Sequence, residues 1–342
     1  MDRRVYANIV EAHLRPNLVR LGDNLYGACF SLMKLIPARF MLEQARGQNK
    51  IDTGSSIVEM SSGTFGLALA IISALRDYRL FLVSDDAIDR ALKLRIEDLG
   101  AQLITVDNRS AAGGLQQARL DVLMSKRAEN PDWFWPSQYD NAHNPGAYAP
   151  FVELLAEVIG EVHCLVGTVG SGGSMTGSGR YLRNIFPSVR LIAVDTPNSI
   201  LFGQQDGPRA LRGLGNSMMP QNLDHTLFDE VHWVTAAEAY ASTQMLHRSH
   251  ALYMGETSGA AYMVASWYAR QNPDHRTVVI LPDEGHRYAT AIYDDTALKT
   301  QNAWTAEVPK EPVSINYPRT RITSWAKLDW RRRSIAAVLH SL

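Results

Sequence analysis

Short β-branched and aliphatic runs alternate along this chain with stretches of helical period, and Gly, Asp or Pro punctuates the joints. Ser56-Ile57-Val58-Glu59-Met60 reads as a strand, followed by a Ser/Gly turn and an apolar helix from about Gly66 to Leu75. Leu80-Phe81-Leu82-Val83 is the next strand. A helix to about Leu99 follows, with Gly100 as its C-terminal stop and Leu103-Ile104-Thr105-Val106 as a further strand. The second half repeats this order. A strand from Cys164 to Val169 leads into a glycine loop and a helix through about Ile185, and Leu191 to Val194 forms another strand. Thr235 and Glu238 make a capping box for a helix to about Arg248. Thr277 to Leu281 is a strand closed by the turn Pro282-Asp283-Glu284-Gly285.

Strand, helix and strand in repeated succession predict an α/β protein whose mostly parallel, twisted sheets are flanked by helices. A length of 342 residues suggests two domains. The Pro-, Asn- and Asp-rich stretch from Trp135 to Pro145 is expected to cross between them. Beyond Gln301 the chain turns irregular and proline-containing before ending in a helical pattern, and no task follows from that pattern.

Composition narrows the function classes. Hydrophobic residues make up 46% and charged residues 20%, enough for a large core. The net charge of -1, from 34 basic and 35 acidic residues, offers no field to attract nucleic acid or an anionic membrane. The cluster Arg331-Arg332-Arg333 reads as a solvated face. Cys29 and Cys164 are too few for a secreted scaffold and lack metal-ligand spacing, so no metal is expected; Cys164 reads as a small buried hydrophobe. The N-terminus lacks the apolar core of a signal peptide, and no run is long enough to span a membrane. A reducing cytosol is the expected setting.

Three segments carry candidate chemistry. Gly170-Ser171-Gly172-Gly173-Ser174-Met175-Thr176-Gly177 follows a strand and opens a helix. Its glycines let backbone N–H groups converge on an anion, the helix start adds positive charge, and Ser171 and Ser174 add hydroxyls, which suits a phosphate monoester. The loop lacks the position of a dinucleotide fingerprint and the Gly-Lys-Ser/Thr of a P-loop, which argues against a nucleotide-dependent oxidoreductase. A tight structural turn would share its composition. Ser61-Ser62-Gly63-Thr64-Phe65-Gly66 also joins strand to helix; its hydroxyls and N–H groups suit a carboxylate, although Ser and Thr are ordinary caps. Lys34 stands among Leu32, Met33, Leu35 and Ile36, where desolvation favours the neutral amine of Schiff-base chemistry. A lysine on an amphipathic helix also snorkels to water.

In order along the chain, Lys34, Ser61 to Gly66, Gly170 to Gly177 and Leu281 to Gly285 resemble fold-type II enzymes that use pyridoxal 5′-phosphate (PLP), a tryptophan synthase β-like fold. The closest resemblance is to the cysteine synthase (O-acetylserine sulfhydrylase) and cystathionine β-synthase family. There a lysine precedes a Ser-Gly-Asn-Thr-Gly substrate loop, at a spacing similar to that from Lys34 to Thr64, and a Gly-Thr-Gly-Gly-Thr cup holds the cofactor phosphate. Leu18-Val19-Arg20-Leu21, Gln138-Tyr139-Asp140-Asn141, Gly213-Leu214-Gly215 and Thr257-Ser258-Gly259-Ala260-Ala261 match further family segments, so the resemblance runs from about residue 16 to 295. Ser199-Ile200-Leu201-Phe202-Gly203, and Arg287-Tyr288 with Tyr293-Asp294-Asp295-Thr296, are similar to the branch that makes 2,3-diaminopropionate precursors from O-phosphoserine and an amine such as glutamate.

The resemblance implies PLP as a Schiff base on Lys34, with its phosphate on Gly170, Ser171, Gly172, Gly173 and Ser174 and its ring near Thr64 and Glu284. It places the substrate on Ser61, Ser62, Gly63, Thr64, Phe65 and Gln138. It implies a smaller, mobile substrate-loop domain over 35–145, a larger PLP-phosphate domain from 1–34 plus 146–300, and a C-terminal extension over 301–342. A homodimer is expected on the same ground. The implied reaction is β-replacement on an activated serine, O-phosphoserine or O-acetylserine, by sulfide or an amine such as glutamate.

Several positions depart from the family. Thr64 replaces the asparagine that bonds the ring hydroxyl, and Phe65 replaces a substrate-binding threonine. Leu35 and Ile36 stand where the family has Asp-Arg. Glu284 replaces a serine facing the pyridine nitrogen; a carboxylate there favours the protonated ring and keeps elimination, deamination or racemisation open. A register slip of one residue would instead point Glu284 to solvent. The altered substrate loop also leaves open a catalytically inactive binding or regulatory homologue.

Overall fold

A computed structural model of the chain describes residues 5–86, 88–106, 114–301, 303–305 and 307–340. The chain forms two compact units: residues up to Arg15 with Leu32–Ala147, and Pro16–Ser31 with the chain from Tyr148 onward. Lys34 therefore belongs to the first unit, and the residues after Gln301 belong to the second.

Three parallel strands, Ser56–Met60, Arg79–Asp85 and Gln102–Val106, form the sheet of the first unit in that order. Ser56–Met60 is buried along its whole length, as expected for a parallel strand covered on both faces. Phe134 adds a one-residue parallel bridge beside Ile57, which anchors the start of the 135–145 stretch. The helix Thr64–Arg76 lays Phe65, Leu69 and Ile72 into a core shared with Leu35, Met41, Ile57 and Leu82. The helix Arg90–Asp98 ends as expected: Gly100 takes φ +87, the left-handed value that glycine accepts without strain.

The second unit holds eight strands in the order Asn17–Arg20, Leu25–Cys29, Thr277–Leu281, Cys164–Thr168, Arg190–Asp195, Glu230–Trp233, Ala326–Asp329 and Val313–Ser314. The five from Leu25–Cys29 to Glu230–Trp233 run parallel, and antiparallel pairings join Asn17–Arg20 and Ala326–Asp329 to the two sides of that core. The predicted α/β class and mostly parallel sheets are therefore present.

The helices Ala236–His250 and Glu256–Gln271 pack nearly backbone to backbone. A Cβ at Gly259 would lie 2.1 Å from Thr243 Oγ1 and 2.4 Å from the Ala239 carbonyl. The capping box at Thr235 and Glu238 forms as expected.

The tail has more structure than its sequence pattern suggests. Ala326–Asp329 pairs with Glu230–Trp233, and Val313–Ser314 pairs parallel beyond it. Glu238 Oε1 accepts from the Trp325 N–H and the Ser324 hydroxyl, both at 2.8 Å, so the capping glutamate also ties down the tail. The arginine cluster is not simply a solvated face. Arg332 Nε donates to Asp229 Oδ1 at 2.8 Å, and the N–H groups of Arg331 and Arg332 donate to the carbonyls of Asp229 and Phe228. Among the described residues no helix is long and apolar enough to cross a membrane.

Trp325 is 1% exposed, and its indole N–H donates to His232 Nδ1 at 3.0 Å. Trp325→Ala is expected to lower stability by about 3–5 kcal/mol, read from the urea midpoint. A loss below about 1 kcal/mol would show that the docked tail adds little to the sheet.

Candidate active site

In both units the candidate residues gather where a parallel strand ends and a helix begins, the end of an α/β sheet at which ligands bind. In the first unit Ser56–Met60 runs directly into the Ser/Gly loop. The Ser61 hydroxyl accepts from Gly63 N at 3.2 Å and Gly66 N at 3.0 Å, so it caps the following helix and shapes the loop. Gly63 is the extended residue before the helix, and half-buried Thr64 opens it. Ser62 Oγ accepts from Arg119 Nη1 at 3.1 Å.

Phe65 requires a correction. It is 2% exposed and belongs to the unit's apolar core, one helical turn from Leu69. The helical period turns it inward, so it takes no place on a substrate surface.

Arg119 was not singled out from the sequence. It comes from the helix Gly114–Glu129, and besides Ser62 it faces Asp85 Oδ2, 3.4 Å from its Nε, at the end of the neighbouring strand. Only the fold brings these three positions together; neither spacing nor composition marks them. Gln116 of the same helix donates to the Tyr139 hydroxyl at 3.5 Å.

Gln138 is buried beside the same strand end: its N–H donates to Glu59 Oε2 at 3.1 Å and its side chain to the Met60 carbonyl at 3.4 Å. Ser61, Ser62, Gly63, Thr64 and Gln138 therefore lie together around the end of this strand. Lys34 is half-buried between buried Met33 and Leu35 and opens the helix Leu35–Gly47, which packs on Thr64–Arg76.

In the second unit Cys164–Thr168 leads into the glycine loop. Gly172, at φ +80, precedes the helix Gly173–Ile185 and provides no side-chain cap. A Cβ on Gly170 would meet the Gly213 carbonyl oxygen at 2.8 Å, and one on Gly172 would meet the Leu223 backbone at 2.8 Å. No side chain larger than hydrogen fits there. Ser171 is buried and Ser174 half-buried on the same loop. This cradle of helix-start amides and hydroxyls fits the phosphate of PLP.

The turn after Thr277–Leu281 buries Asp283, whose Oδ2 accepts from the Tyr288 hydroxyl at 2.9 Å. Glu284 is 47% exposed and lies 3.5 Å from His286 Nε2. The buried carboxylate of this turn is thus Asp283, and Glu284 turns toward solvent. Of the other buried acids of this unit, two are raised by burial. Glu256 accepts from Arg212 N at 2.6 Å, and burial, helped by the charge of Asp283, pushes its carboxyl up to about 7. Asp195, at a strand end, accepts from Thr196 N at 2.8 Å and is raised to about 7 by burial.

Residues 32–283 match the family model described as pyridoxal-phosphate dependent enzyme. The chain is 31% identical to an N-(2-amino-2-carboxyethyl)-L-glutamate synthase of Cupriavidus metallidurans, over 80% of this chain and 80% of that protein. It is 32% identical to a cysteine synthase of Buchnera aphidicola subsp. Acyrthosiphon pisum, over 75% of this chain and 84% of the relative. Among solved structures, a cysteine synthase from Entamoeba histolytica superposes with a TM-score of 0.78 at 23% identity, covering 86% of this chain and 92% of that one, which supports the fold.

Glu256 also sets a pH dependence. Its folded value of about 7 lies above its ordinary 4.5. Between these values the folded chain holds a proton that the unfolded chain has released, so stability from this group falls as pH rises through the window. Glu256→Gln should flatten the decline in Tm between about pH 5 and 8. An unchanged slope would show that Glu256 does not hold its proton in the folded chain.

Proposed function

Because the chain belongs to the pyridoxal-phosphate-dependent enzyme family, we propose that it carries out β-replacement on an activated serine, O-phosphoserine or O-acetylserine. A small nucleophile, sulfide or an amine such as glutamate, adds to give cysteine or a related β-substituted alanine. The observation that carries this reading is the glycine cradle at Gly170–Ser174, where neither Gly170 nor Gly172 has room for a Cβ, in a chain whose relatives are named as synthases of two β-substituted alanines.

When bound, PLP withdraws electrons from the Cα of an amino acid joined to it, which makes the α-hydrogen acidic and lets a β-substituent leave. Lys34 would hold the cofactor through its Nζ, and the same amine would be the base for the α-proton of the substrate. The amides of Gly170, Gly172 and Gly173, with Ser171 and Ser174, hold the phosphate. Ser62, Thr64, the N–H groups at the start of Thr64–Arg76 and the Gln138 amide hold the substrate carboxylate, while Ser61 keeps the loop in shape. Arg119 fixes the Ser62 hydroxyl and keeps positive charge behind that carboxylate.

In β-replacement the leaving group would depart with the electron pair of its bond to Cβ, a nucleophile's lone pair would form the new bond there, and Lys34 would be placed to return the proton to Cα. Solvent-facing Glu284 has no part in this reading. Elimination, deamination and racemisation drew on a carboxylate at this turn, and the exposure of Glu284 removes that residue as its source. By its resemblance to the family the enzyme is taken to be a homodimer, which sedimentation velocity tests, and a cytosolic setting is kept as the default.

The test is to give purified holoenzyme O-phosphoserine or O-acetylserine, with and without sulfide or glutamate, and to assay amino acids and pyruvate. A new amino acid formed only with the nucleophile supports the proposal; pyruvate in every case, with no new amino acid, overturns it. Lys34→Ala should abolish the visible band of lysine-bound PLP and lower turnover by at least about 10³-fold. Gly172→Ala should instead leave a folded protein that retains less PLP on dialysis, since its Cβ would strike the Leu223 backbone at 2.8 Å and its φ is strained, so the loop must shift.

A further inference from the structure

Glu59 is the one ionisable residue in the strand Ser56–Met60, and it is 0% exposed. A carboxylate buried among Ile57, Val58 and Met60 costs folding free energy unless its oxygens find donors. Glu59 finds them on two segments. Oε1 accepts from its neighbour Met60 N at 2.9 Å and from the Trp135 indole N–H at 3.0 Å, and Oε2 accepts from Gln138 N at 3.1 Å. Burial still pushes its carboxyl up to about 7 against the pull of these bonds.

The far segment is itself a constrained turn. Ser137 lies at φ +55, in the left-handed region that serine seldom enters, and its carbonyl accepts from the N–H groups of Asp140 and Asn141. Before the turn, Phe134 is paired to Ser56 and Val58 through its N–H and carbonyl. After it, the Gln138 carbonyl accepts from Asn144 Nδ2 at 2.6 Å and the Gln138 side chain reaches back to the Met60 carbonyl. The Glu59 carboxylate thus bonds both Met60, where the Ser/Gly loop begins, and Gln138, at the exit of the strained turn.

We infer that Glu59 is a positioning residue, whose buried carboxylate clamps the Trp135–Gln138 turn to the end of the strand and so aligns Gln138 with the Ser61–Thr64 loop for the carboxylate of the amino-acid substrate. The inference rests on the reading of Gln138 and that loop as the substrate-carboxylate site. It assigns a task to a residue that touches neither substrate nor cofactor.

Glu59→Gln separates the clamp from the bulk of the side chain. The glutamine oxygen can keep the bonds from Met60 and Trp135, but its NH₂ group then faces the Gln138 N–H, donor against donor. With the variant as holoenzyme, the bound PLP and the visible band are expected to match wild type, and the Gln138 amide to exchange hydrogen faster. The dissociation constant for O-phosphoserine, read from the shift of the band, should rise about five- to tenfold. Should Glu59→Gln fail to fold, Trp135→Phe removes one donor and keeps the ring, and the same shifts are expected in weaker form.

Faster Gln138 exchange with an unchanged dissociation constant would overturn the positioning role, leaving only a structural bond. Unchanged exchange would overturn the clamp itself. If wild type gives no spectral response to either activated serine, the proposed function fails and the positioning role with it, while Gln138 exchange still upholds or overturns the clamp.

Discussion

A helix that leaves the end of a parallel strand begins with amide hydrogens that no carbonyl in the preceding turn can accept. In this chain those hydrogens are met in several ways. After Ser56–Met60, the Ser61 hydroxyl takes the N–H groups of Gly63 and Gly66. At Ala236–His250, Thr235 and Glu238 cap each other's backbone, and at Arg90–Asp98 the Asp89 carboxylate accepts from Leu92 N. After Cys164–Thr168 the turn is glycine, with no side-chain cap at Gly172 and the backbones of Gly213 and Leu223 pressed against the space a Cβ would fill. There no side chain caps the helix start, which is the demand that the phosphate of the proposed cofactor would meet. Gly213 and Gly215 both take positive φ, and Gly215 N donates to the Val169 carbonyl beside the cradle.

A second regularity lies in the buried acids. Glu59, Asp195 and Glu256 each stand within a residue of a strand end or helix start, each accepts backbone N–H bonds, and burial raises each to about 7. Their ionised forms are disfavoured, yet the bonds they accept fix loops that hydrophobic packing alone would leave free to take other paths. Buried polar groups whose bonding is satisfied specify one arrangement more narrowly than apolar contacts do. In this chain they stand beside the turns that carry candidate chemistry.

The sequence made three parallel strands of each unit legible, because buried parallel strands are written as short aliphatic runs with Gly or Asp at their ends. The capping box and the Gly100 stop were readable for the same local reason. The strands Asn17–Arg20, Leu25–Cys29, Glu230–Trp233 and Ala326–Asp329 were not, since short runs without a clear alternation become strands only through the neighbours they pair with. The candidate site was legible in part. Glycine loops announce themselves, whereas Arg119 meets Ser62 across 57 positions of sequence. Phe65 was assigned to a surface although the run Phe65, Leu69, Ile72 carries the inward face of its helix. At the 282–285 turn the sequence singled out Glu284, whereas the fold buries Asp283 and leaves Glu284 half exposed.

The pairing of Leu25–Cys29 with Thr277–Leu281 has a consequence for how the chain comes off the ribosome. A strand made near the start must wait for a partner near the end, so the central sheet of the second unit cannot close until most of the chain has been synthesised. The three strands Ser56–Met60, Arg79–Asp85 and Gln102–Val106 all emerge within that interval and need nothing made later than residue 147 to complete their unit. Synthesis at about 5–20 residues per second gives the earlier sheet a head start of several seconds. During that time the waiting N-terminal strand remains an unpaired edge, the part of the nascent chain most in need of protection from other chains.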